Sequence, residues 1–261
     1  MPTYLDKILA AHREVARADG RDLARLLGEA GRCASTRGFA SALKTSPGVA
    51  VIAEIKRRSP SKGPLAPDLE PALLAKAYAG GGAACLSVLT DAQFFGGCAD
   101  DLAEARSAVE LPVLRKDFTV SPADVGDARL MGADAVLLIV AALTPAELSD
   151  LLGTAKTLGL DALVEVHDEA EAEVALGAGA EVIGVNQRDL VTFEVDTRRA
   201  VRVARSLPGH VVRVAESGVR DRDDMRRLAD AGFDAVLVGE ALVTAPDPGA
   251  ALAALTAVEA S

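Results

Sequence analysis

The charged residues best suited to chemistry lie at the ends of short apolar segments. Glu54 and Lys56 share one face of the segment AVIAEIK, Lys116 ends PVLRK, and Glu165 lies near the end of ALVEV. Because side chains alternate in an extended strand, Lys116 and Glu165 each share a face with a leucine two positions earlier. Lysines and glutamates gathered in a partly desolvated site can have pKa values far enough apart to supply an acid and a base. The pattern predicts acid–base catalysis.

Later segments of the same kind also end in polar residues or glycine. They supply Asn186, Gln187 and Arg188, then Glu216, Ser217 and Gly218, and finally Gly239 and Glu240. Glycine-containing turns of this kind bring backbone N–H groups to a phosphate in barrels of alternating strands and helices. Stability alone does not require a polar residue at the end of strand after strand. We therefore predict a ring of active-site residues and a small phosphorylated substrate.

The segment after Lys56 is cationic and rich in turn-forming residues. Arg57, Arg58 and Lys62 suit a second anion such as a carboxylate, although long basic loops are commonly just solvated. Glu54 and Lys56 could likewise form no more than a structural ion pair. From these residues alone, both alternatives stay open.

Amino-acid composition disfavours several classes of protein function. The chain has 261 residues with 50% hydrophobic content, enough for one large domain with a substantial core. A formal net charge of -10 disfavours binding to nucleic acid. Cys33, Cys85 and Cys98 lack metal-finger spacing, so we expect reduced thiols and no metal site.

Targeting signals are also not indicated. No secretory h-region follows Met1, and no apolar run reaches the roughly 18 residues of a membrane span. We therefore expect a cytoplasmic protein without membrane contact. The expected partner is a small molecule, bound by a monomer or weak homo-oligomer.

A repeating pattern along the chain predicts the strands and helices that carry these residues. A short strand-like segment, a turn and an amphipathic helical segment repeat eight times from Val49 onward. The predicted strands are 49–56, 84–89, 112–116, 135–139, 162–166, 182–186, 211–216 and 235–239. The predicted helices that follow them are 71–79, 100–109, 122–131, 145–158, 168–176, 197–207, 221–231 and 249–258.

Helical periodicity also precedes the first strand, most clearly over 4–18. We predict an N-terminal helical extension, residues 1–48, packed on a catalytic barrel of residues 49–258, in a single domain overall. Eight strand–helix units favour an α/β fold, a (β/α)₈ TIM barrel, over an open doubly wound sheet. The first strand lacks a following Gly-x-Gly-x-x-Gly, which weakens the dinucleotide-binding alternative. In such a barrel, reactive groups gather at the C-terminal ends of the strands.

Eight segments of the chain carry a family resemblance. They are VIAEIKRRSPSKG, CLSVLTDAQFFGG, LPVLRKDF, GADAVLLI, LVEVH, IGVNQRDL, VAESGV and VLVGEAL. In this order, from about Phe39 to the last strand, the chain resembles the indole-3-glycerol phosphate synthase family. The resemblance implies ring closure of 1-(2-carboxyphenylamino)-1-deoxyribulose 5-phosphate, with loss of carbon dioxide and water and without metal or organic cofactor. It also leaves open an association with other enzymes of tryptophan biosynthesis.

The resemblance implies catalytic roles for residues at the strand ends. Lys116 matches the general acid that protonates the ribulose carbonyl as the aromatic carbon attacks it. Glu165 matches the acid–base group of the later dehydration. Lys56 matches a lysine that contacts substrate anions, with Glu54 holding its charge and orientation. Which lysine donates the first proton stays open.

Further matches concern the bound substrate. Asn186, grouped with the catalytic residues, and Arg188 match the pair that positions the intermediate and the anthranilate carboxylate. The substrate and phosphate positions are Glu216, Ser217, Gly218, Gly239 and Glu240, and the pocket wall positions are Ser59 and Phe118.

Three neighbouring residues are interpreted as structural. Asp124 stands where the family often has glutamine, and we expect it to lie away from the chemistry. Arg115 points by alternation toward the helices, where an ion pair is the expected role. His167 has the parity to face the same end of the barrel as Glu165, but we interpret it as a loop residue ahead of the next helix cap.

Two other functions remain as alternatives. A phosphoribosylanthranilate isomerase would share the architecture, but it would use a cysteine and an aspartate at strand ends, and Cys85 begins a strand. A barrel that has lost catalysis and serves as an interaction protein is the second alternative. The intact set of Lys56, Lys116 and Glu165 argues against it.

Overall fold

Eight parallel strands form a closed barrel in the computed structural model, which describes residues 3–60, 62–189, 191 and 193–256. They are β1 Ala50–Ile55, β2 Cys85–Leu89, β3 Val113–Lys116, β4 Ala135–Ile139, β5 Asp161–Val166, β6 Val182–Asn186, β7 Val212–Glu216 and β8 Ala235–Val238. Each strand pairs with the next, and β8 pairs with β1. The predicted (β/α)₈ barrel is confirmed, and each strand ends within one residue of its predicted bounds.

The helices surround this barrel. They are α1 Tyr4–Ala18, α2 Leu23–Ala30, α3 Phe39–Thr45, α4 Pro71–Gly80, α5 Ala92–Phe95, α6 Ala99–Ala108, α7 Pro122–Leu130, α8 Pro145–Thr157, α9 Glu169–Gly177, α10 Arg199–Ala204, α11 Arg222–Asp230, α12 Glu240–Val243 and α13 Pro248–Thr256. Sequence periodicity missed α5 and α12, because a single turn is too short to show a period. The predicted last helix included residues 257 and 258, which lie outside the described residues.

Local sequence explains where several helices begin. Proline occupies the first turn of α4, α7 and α8, where its missing N–H costs no hydrogen bond. Ser121 caps α7 in a capping box completed by Asp124, and Thr144 with Glu147 does the same for α8. Asp124 therefore serves the start of a helix.

The strands are buried on both faces. Side chains of β1, β2, β4, β6 and β8 are buried along their whole length, because the helices cover the outside and the strands fill the inside. The polar side chains at the C-terminal ends of the strands lie where the barrel opens. Among the described residues, every helix falls short of the length and apolar character that crossing a bilayer requires.

The three N-terminal helices contact both ends of the barrel. Phe39 and Leu43 of α3 are fully buried at the N-terminal ends of the strands, where α3 contacts β1, β2 and β7. α2 packs on α7 at Gly126, where a side chain would crowd Leu26 and Leu27. α1 reaches the opposite end, where the strands terminate.

Asp134, fully buried just before β4, ties three segments together. Its Oδ2 accepts a hydrogen bond from the N–H of Val113 at 2.8 Å and pairs with the Arg106 guanidinium. Its Oδ1 accepts from the N–H of Arg37 at 2.8 Å, which fastens the N-terminal extension. A similar contact recurs before β8, where Asp234 accepts from a backbone N–H of β7 at 2.7 Å. These aspartates hold neighbouring strands in register.

Replacement of Asp134 by alanine tests this anchor. The change leaves a largely buried guanidinium and two N–H groups without their acceptor, so we expect the free energy of unfolding to fall by about 3 kcal/mol. Urea unfolding measures it. Asp150→Ala, on the exposed side of α8, is the control and should stay within about 0.5 kcal/mol of the parent. Equal losses in both variants would contradict the anchor.

Candidate active site

The C-terminal ends of the strands open into a cavity of about 830 Å³, here called the mouth. Its size suits a small organic ligand. The structure brings all the predicted site residues into its lining, namely Glu54, Lys56, Ser59, Lys116, Phe118, Glu165, Asn186, Arg188, Glu216, Ser217, Gly218, Gly239 and Glu240. Residues from six strand ends therefore converge on one space.

Lys116, the last residue of β3, lies between two buried carboxylates. Its Nζ is 3.7 Å from Glu165 Oε2 and 3.9 Å from Glu216 Oε2. Burial alone would lower the pKa of the Lys116 ammonium. The carboxylates of Glu165, Glu216 and Glu54 outweigh burial and raise that pKa above its ordinary value of 10.5. Lys116 is therefore charged at neutral pH, as a proton donor has to be.

Glu216, at the end of β7, is only 2% exposed. Burial raises the pKa of its carboxyl well above 4.5, and the negative charge of Glu165 raises it further. Glycine at position 184 makes room for this side chain, because a Cβ there would lie 2.1 Å from Glu216 Oε1. The close approach of β6 and β7 thus places this carboxyl where ionisation is less favourable than in water.

Glu54 and Lys56 form an ion pair at the end of β1. Burial raises the pKa of Glu54, but the charges of Lys56 and Lys116 outweigh it and the net shift is downward. Gly239 is required beside this pair, because a Cβ there would lie 2.3 Å from Glu54 Oε1. Both residues line the mouth, and the charge of Glu54 helps to raise the pKa of Lys116.

Asn186 links the carboxylate side of the mouth to the glycine turn after β7. Its Nδ2 donates to Glu165 Oε1 at 3.0 Å. Its Oδ1 accepts from Ser217 Oγ at 2.9 Å and from the backbone N–H of Arg188 at 3.0 Å. One amide therefore sets the orientation of three neighbours.

The turn after β7 has an uncommon backbone. Ser217 has φ +65° and Gly218 has φ +80°, so two successive residues are left-handed. The fully buried Gln187 helps to hold this turn, since its Nε2 donates to the Ser217 carbonyl at 2.6 Å. Sequence reasoning placed Gln187 at a strand end but assigned it no role, because period-two alternation turns it away from the mouth.

The basic residues after β1 divide into different roles. Arg57 is held by both oxygens of Asp101, at 2.6 and 3.1 Å, and by the carbonyls of Pro67 and Leu69 at 2.9 Å. It fastens the loop to α6, and the alternative of an anion-binding role does not fit these contacts. The hairpin that follows, Arg58–Ser59 with Gly63–Pro64, brings Ser59 to the mouth, and Lys62 pairs there with Glu240.

Aromatic side chains form one wall of the mouth. Phe118 lies 6.2 Å, between ring centroids, from Phe95 of α5, and both line the cavity. Tyr4 of α1 makes edge contacts with Phe94 at 5.9 Å and Phe193 at 5.8 Å. The N-terminal helix and the aromatic wall are therefore packed together over the mouth.

His12 fastens α1 to this wall. Its Nε2 lies 2.9 Å from Asp91 Oδ2 and 3.9 Å from Asp117 Oδ1, and its ring centroid is 5.4 Å from that of Phe118. Within the described residues, His12, Asp91 and Asp117 are the one group whose ligand-type atoms lie close enough to hold a metal, all within 4.8 Å. These atoms already serve the contacts between α1, α5 and Arg115, which pairs with Asp117 at 2.9 Å. These contacts have a structural role, since they hold α1 against the segments that follow β2 and β3.

His167 lies beside the site, although sequence reasoning gave it no role there. It lies in the bend ahead of α9, as expected, but its side chain is largely buried and its Nε2 is 3.5 Å from Glu165 Oε1. The signal was its even spacing from Glu165, which puts both side chains on one face of the strand direction.

Comparison with known proteins finds related sequences over nearly the whole chain. A sequence model of the family described as indole-3-glycerol phosphate synthase matches residues 5–255. A Streptomyces coelicolor protein named indole-3-glycerol phosphate synthase 2 is 57% identical over 219 residues, covering 84% of each chain. A Mycobacteroides abscessus protein named indole-3-glycerol phosphate synthase is 52% identical over 255 residues, covering 97% of this chain and 93% of that protein.

Solved structures share the fold at low identity. An N-acetylmannosamine-6-phosphate 2-epimerase from Clostridium perfringens has a TM-score of 0.59 at 15% identity, covering 74% of this chain and 86% of that one. A thiamine phosphate pyrophosphorylase from Pyrococcus furiosus has a TM-score of 0.59 at 18% identity, covering 79% of this chain and 93% of that one. At such identities the likeness concerns the barrel alone.

Glu216→Gln tests the electrostatics of the mouth. A raised pKa in the folded state gives Glu216 a stability contribution that is complete below 4.5 and is lost as pH rises through the raised value. Relative to Glu216→Gln, the parent should therefore lose up to about 1.4 kcal/mol of unfolding free energy per pH unit between 4.5 and the raised value, and should show no further loss above it. Urea unfolding between about pH 5 and about pH 8 measures the difference.

The control for this comparison is Glu173→Gln, which removes an exposed carboxyl from α9. Its unfolding free energy should run parallel to that of the parent across the pH range. Parallel curves for the parent and Glu216→Gln would show that Glu216 titrates as an exposed glutamate does.

Proposed function

The chain belongs to the indole-3-glycerol phosphate synthase family, and from this premise we propose how the residues of the mouth share its reaction. The enzyme is a lyase of tryptophan biosynthesis that closes the indole ring of 1-(2-carboxyphenylamino)-1-deoxyribulose 5-phosphate, with loss of carbon dioxide and water. The observation that carries the division of roles is the position of the Lys116 ammonium between Glu165 and Glu216.

Lys116 is the proposed general acid of ring closure. Attack of the aromatic carbon on the ketone builds negative charge on the ketone oxygen, and a nearby ammonium neutralises that charge by donating a proton. The carboxylates around Lys116 keep it protonated until the oxygen needs the proton. Lys56, which is paired with Glu54, is proposed to hold a substrate anion instead.

Glu165 is the proposed acid–base group of the dehydration. Departure of the hydroxyl requires a proton donor for the oxygen and a base for a neighbouring carbon. Glu165 lies across the mouth from β3, 3.7 Å from Lys116, and its carboxylate is oriented by Asn186. The two groups can therefore act on neighbouring atoms of one intermediate.

The anthranilate part of the substrate is proposed to lie between the aromatic wall and Arg188. Phe118 offers an apolar face, with Phe95 beside it and Ser59 on the adjoining wall. Arg188 donates one N–H to the Phe193 carbonyl at 3.2 Å, and its planar guanidinium suits the anthranilate carboxylate.

The phosphate is proposed to bind at the turns after β7 and β8. Ser217 and Gly218 supply a left-handed turn there, and Gly239 leads into α12. The Glu240 carboxylate would repel a phosphate, but it pairs with Lys62, so this corner also carries an ammonium. Glu216 supports the substrate from beneath this turn.

The N-terminal helices are proposed to exclude water during catalysis. Tyr4, Leu5 and Ile8 of α1 line the mouth, so the extension of residues 1–48 and the barrel of residues 49–258 would work as one domain. We further propose a cytoplasmic enzyme that acts as a monomer or weak homo-oligomer, consistent with the biosynthetic role of its family.

The isomerase alternative does not fit the site. Cys85, the cysteine of β2, is fully buried at the N-terminal end of that strand and donates to the carbonyl of Phe39 at 3.8 Å. It lies at the end of the barrel opposite to the mouth.

The reaction provides the direct test. Purified protein should convert the carboxyphenylamino-deoxyribulose phosphate to a fluorescent indole product without added metal. Lys116→Ala should lower kcat by at least about 10³-fold while substrate binding is largely kept. Lys116→Arg should lose as much activity without the loss of charge, because a guanidinium does not release its proton.

Lys156→Ala, an exposed lysine of α8, is the matched control and should keep the parent kcat. No gain of fluorescence with the parent protein would contradict the proposed function. Near-normal kcat in Lys116→Arg would instead require another proton donor, with Lys56 first in line.

A further inference from the structure

His167 lies behind Glu165 as seen from the mouth. Its Nε2 is buried and lacks a hydrogen bond among the described residues, and its nearest acidic neighbour is Glu165 Oε1 at 3.5 Å. His167 does not line the cavity. It is therefore placed to act on Glu165 and not on the substrate.

Glu171 of α9 determines which imidazole nitrogen of His167 carries the permanent proton. Its Oε2 accepts from the backbone N–H of His167 at 2.7 Å and lies 3.0 Å from Nδ1 of the same residue. A carboxylate in this place requires a proton on Nδ1, so Nε2 is the nitrogen that gains or loses a proton. The chain Glu171, His167, Glu165 has the order of an acid–base relay.

The charges around His167 favour the imidazolium. Burial works to lower its pKa, but the hydrogen bond with Glu171 and the charges of Glu165 and Glu171 raise the pKa above 6.5. Arg199 of α10 opposes them in part. These groups come from β5, α9 and α10.

The reaction itself consumes one proton. The carboxylate of the substrate leaves as carbon dioxide, so it returns no proton. The ketone oxygen takes up two protons before it departs as water, and one proton is recovered from the carbon next to the ring-closing bond. Lys116 and Glu165 together are therefore one proton short at the end of each turnover. While the mouth is closed to water, the dehydration therefore requires a proton that a side chain of the protein already holds.

We propose that His167 stores this proton and delivers it through Glu165. The Nε2–H bond breaks as an O–H bond forms on Glu165, and the proton passes from Glu165 to the departing hydroxyl. The neutral imidazole keeps its Nδ1–H bond to Glu171. After product release, Nε2 regains a proton from water by the same path. His167 is thus a positioning residue that acts through Glu165, and the proposal rests on the proposed function.

Nitrogen NMR tests the stored proton without any catalysis. The chain has three histidines, so ¹⁵N-histidine labelling gives three pairs of ring-nitrogen signals, and His167→Gln identifies one pair. His167 should titrate above 6.5 with Nδ1 protonated throughout. Glu171→Gln and Glu165→Gln should each lower that titration, because each removes a negative charge. Glu173→Gln, an exposed neighbour on α9, should leave it unchanged.

Single-turnover kinetics tests delivery of the proton. His167→Gln should lower the rate constant by roughly 10- to 100-fold with KM within about 2-fold of the parent. The parent rate should fall as pH rises through the His167 titration. This descending limb of the pH–rate profile should be absent in His167→Gln. In Glu171→Gln the limb should move to lower pH. His210→Gln, an exposed histidine, should behave as the parent.

The outcomes separate the two proposals. If the parent makes indole product and His167→Gln matches it in rate and pH profile, the proton store is wrong and the proposed function stands. If the parent makes no product, both fail. If His167→Gln does not fold, Glu171→Gln decides, since an unmoved pH limb in that variant would overturn the proton store.

Discussion

The mouth of this barrel depends on one electrostatic arrangement, a largely buried ammonium held among carboxyl groups. Lys116 faces Glu165 and Glu216, with Glu54 further away, and each carboxylate is nearly fully buried. Burial penalises every one of these charges separately, so they are tolerable only together. The arrangement spreads the pKa values of chemically similar groups, lowering that of Glu54 and raising that of Glu216. Acid and base functions can then coexist at one pH.

The barrel supplies the close approach that this arrangement needs. Parallel strands that close on themselves bring their C-terminal ends around one axis, so residues distant in sequence become neighbours. Gly184 and Gly239 are the points where a single added carbon would displace a charged group, Glu216 in one case and Glu54 in the other. The shape of the mouth therefore depends on these two glycines as much as on the charged residues beside them.

The N-terminal extension completes the barrel at both ends. α3 fills the N-terminal end with Phe39 and Leu43, and its linker is fastened through Asp134. α1 crosses the mouth, fastened by His12 to the aspartates that follow β2 and β3. Stability and access to the site are thus coupled, because the same segment contributes to the core at one end and covers the cavity at the other.

The sequence by itself determined the strands and the charged residues at their ends, because a period of two and a buried barrel restrict polar side chains to those ends. That was enough to predict the positions of Lys116, Glu165 and Asn186 in the mouth. Only the tertiary structure decided what depends on distances between strands and loops. His167, whose ring contacts Glu171, lies beside Glu165, and Arg57 pairs with Asp101. Spacing along a chain specifies which face a side chain takes, whereas its partner depends on which other elements the fold brings alongside it.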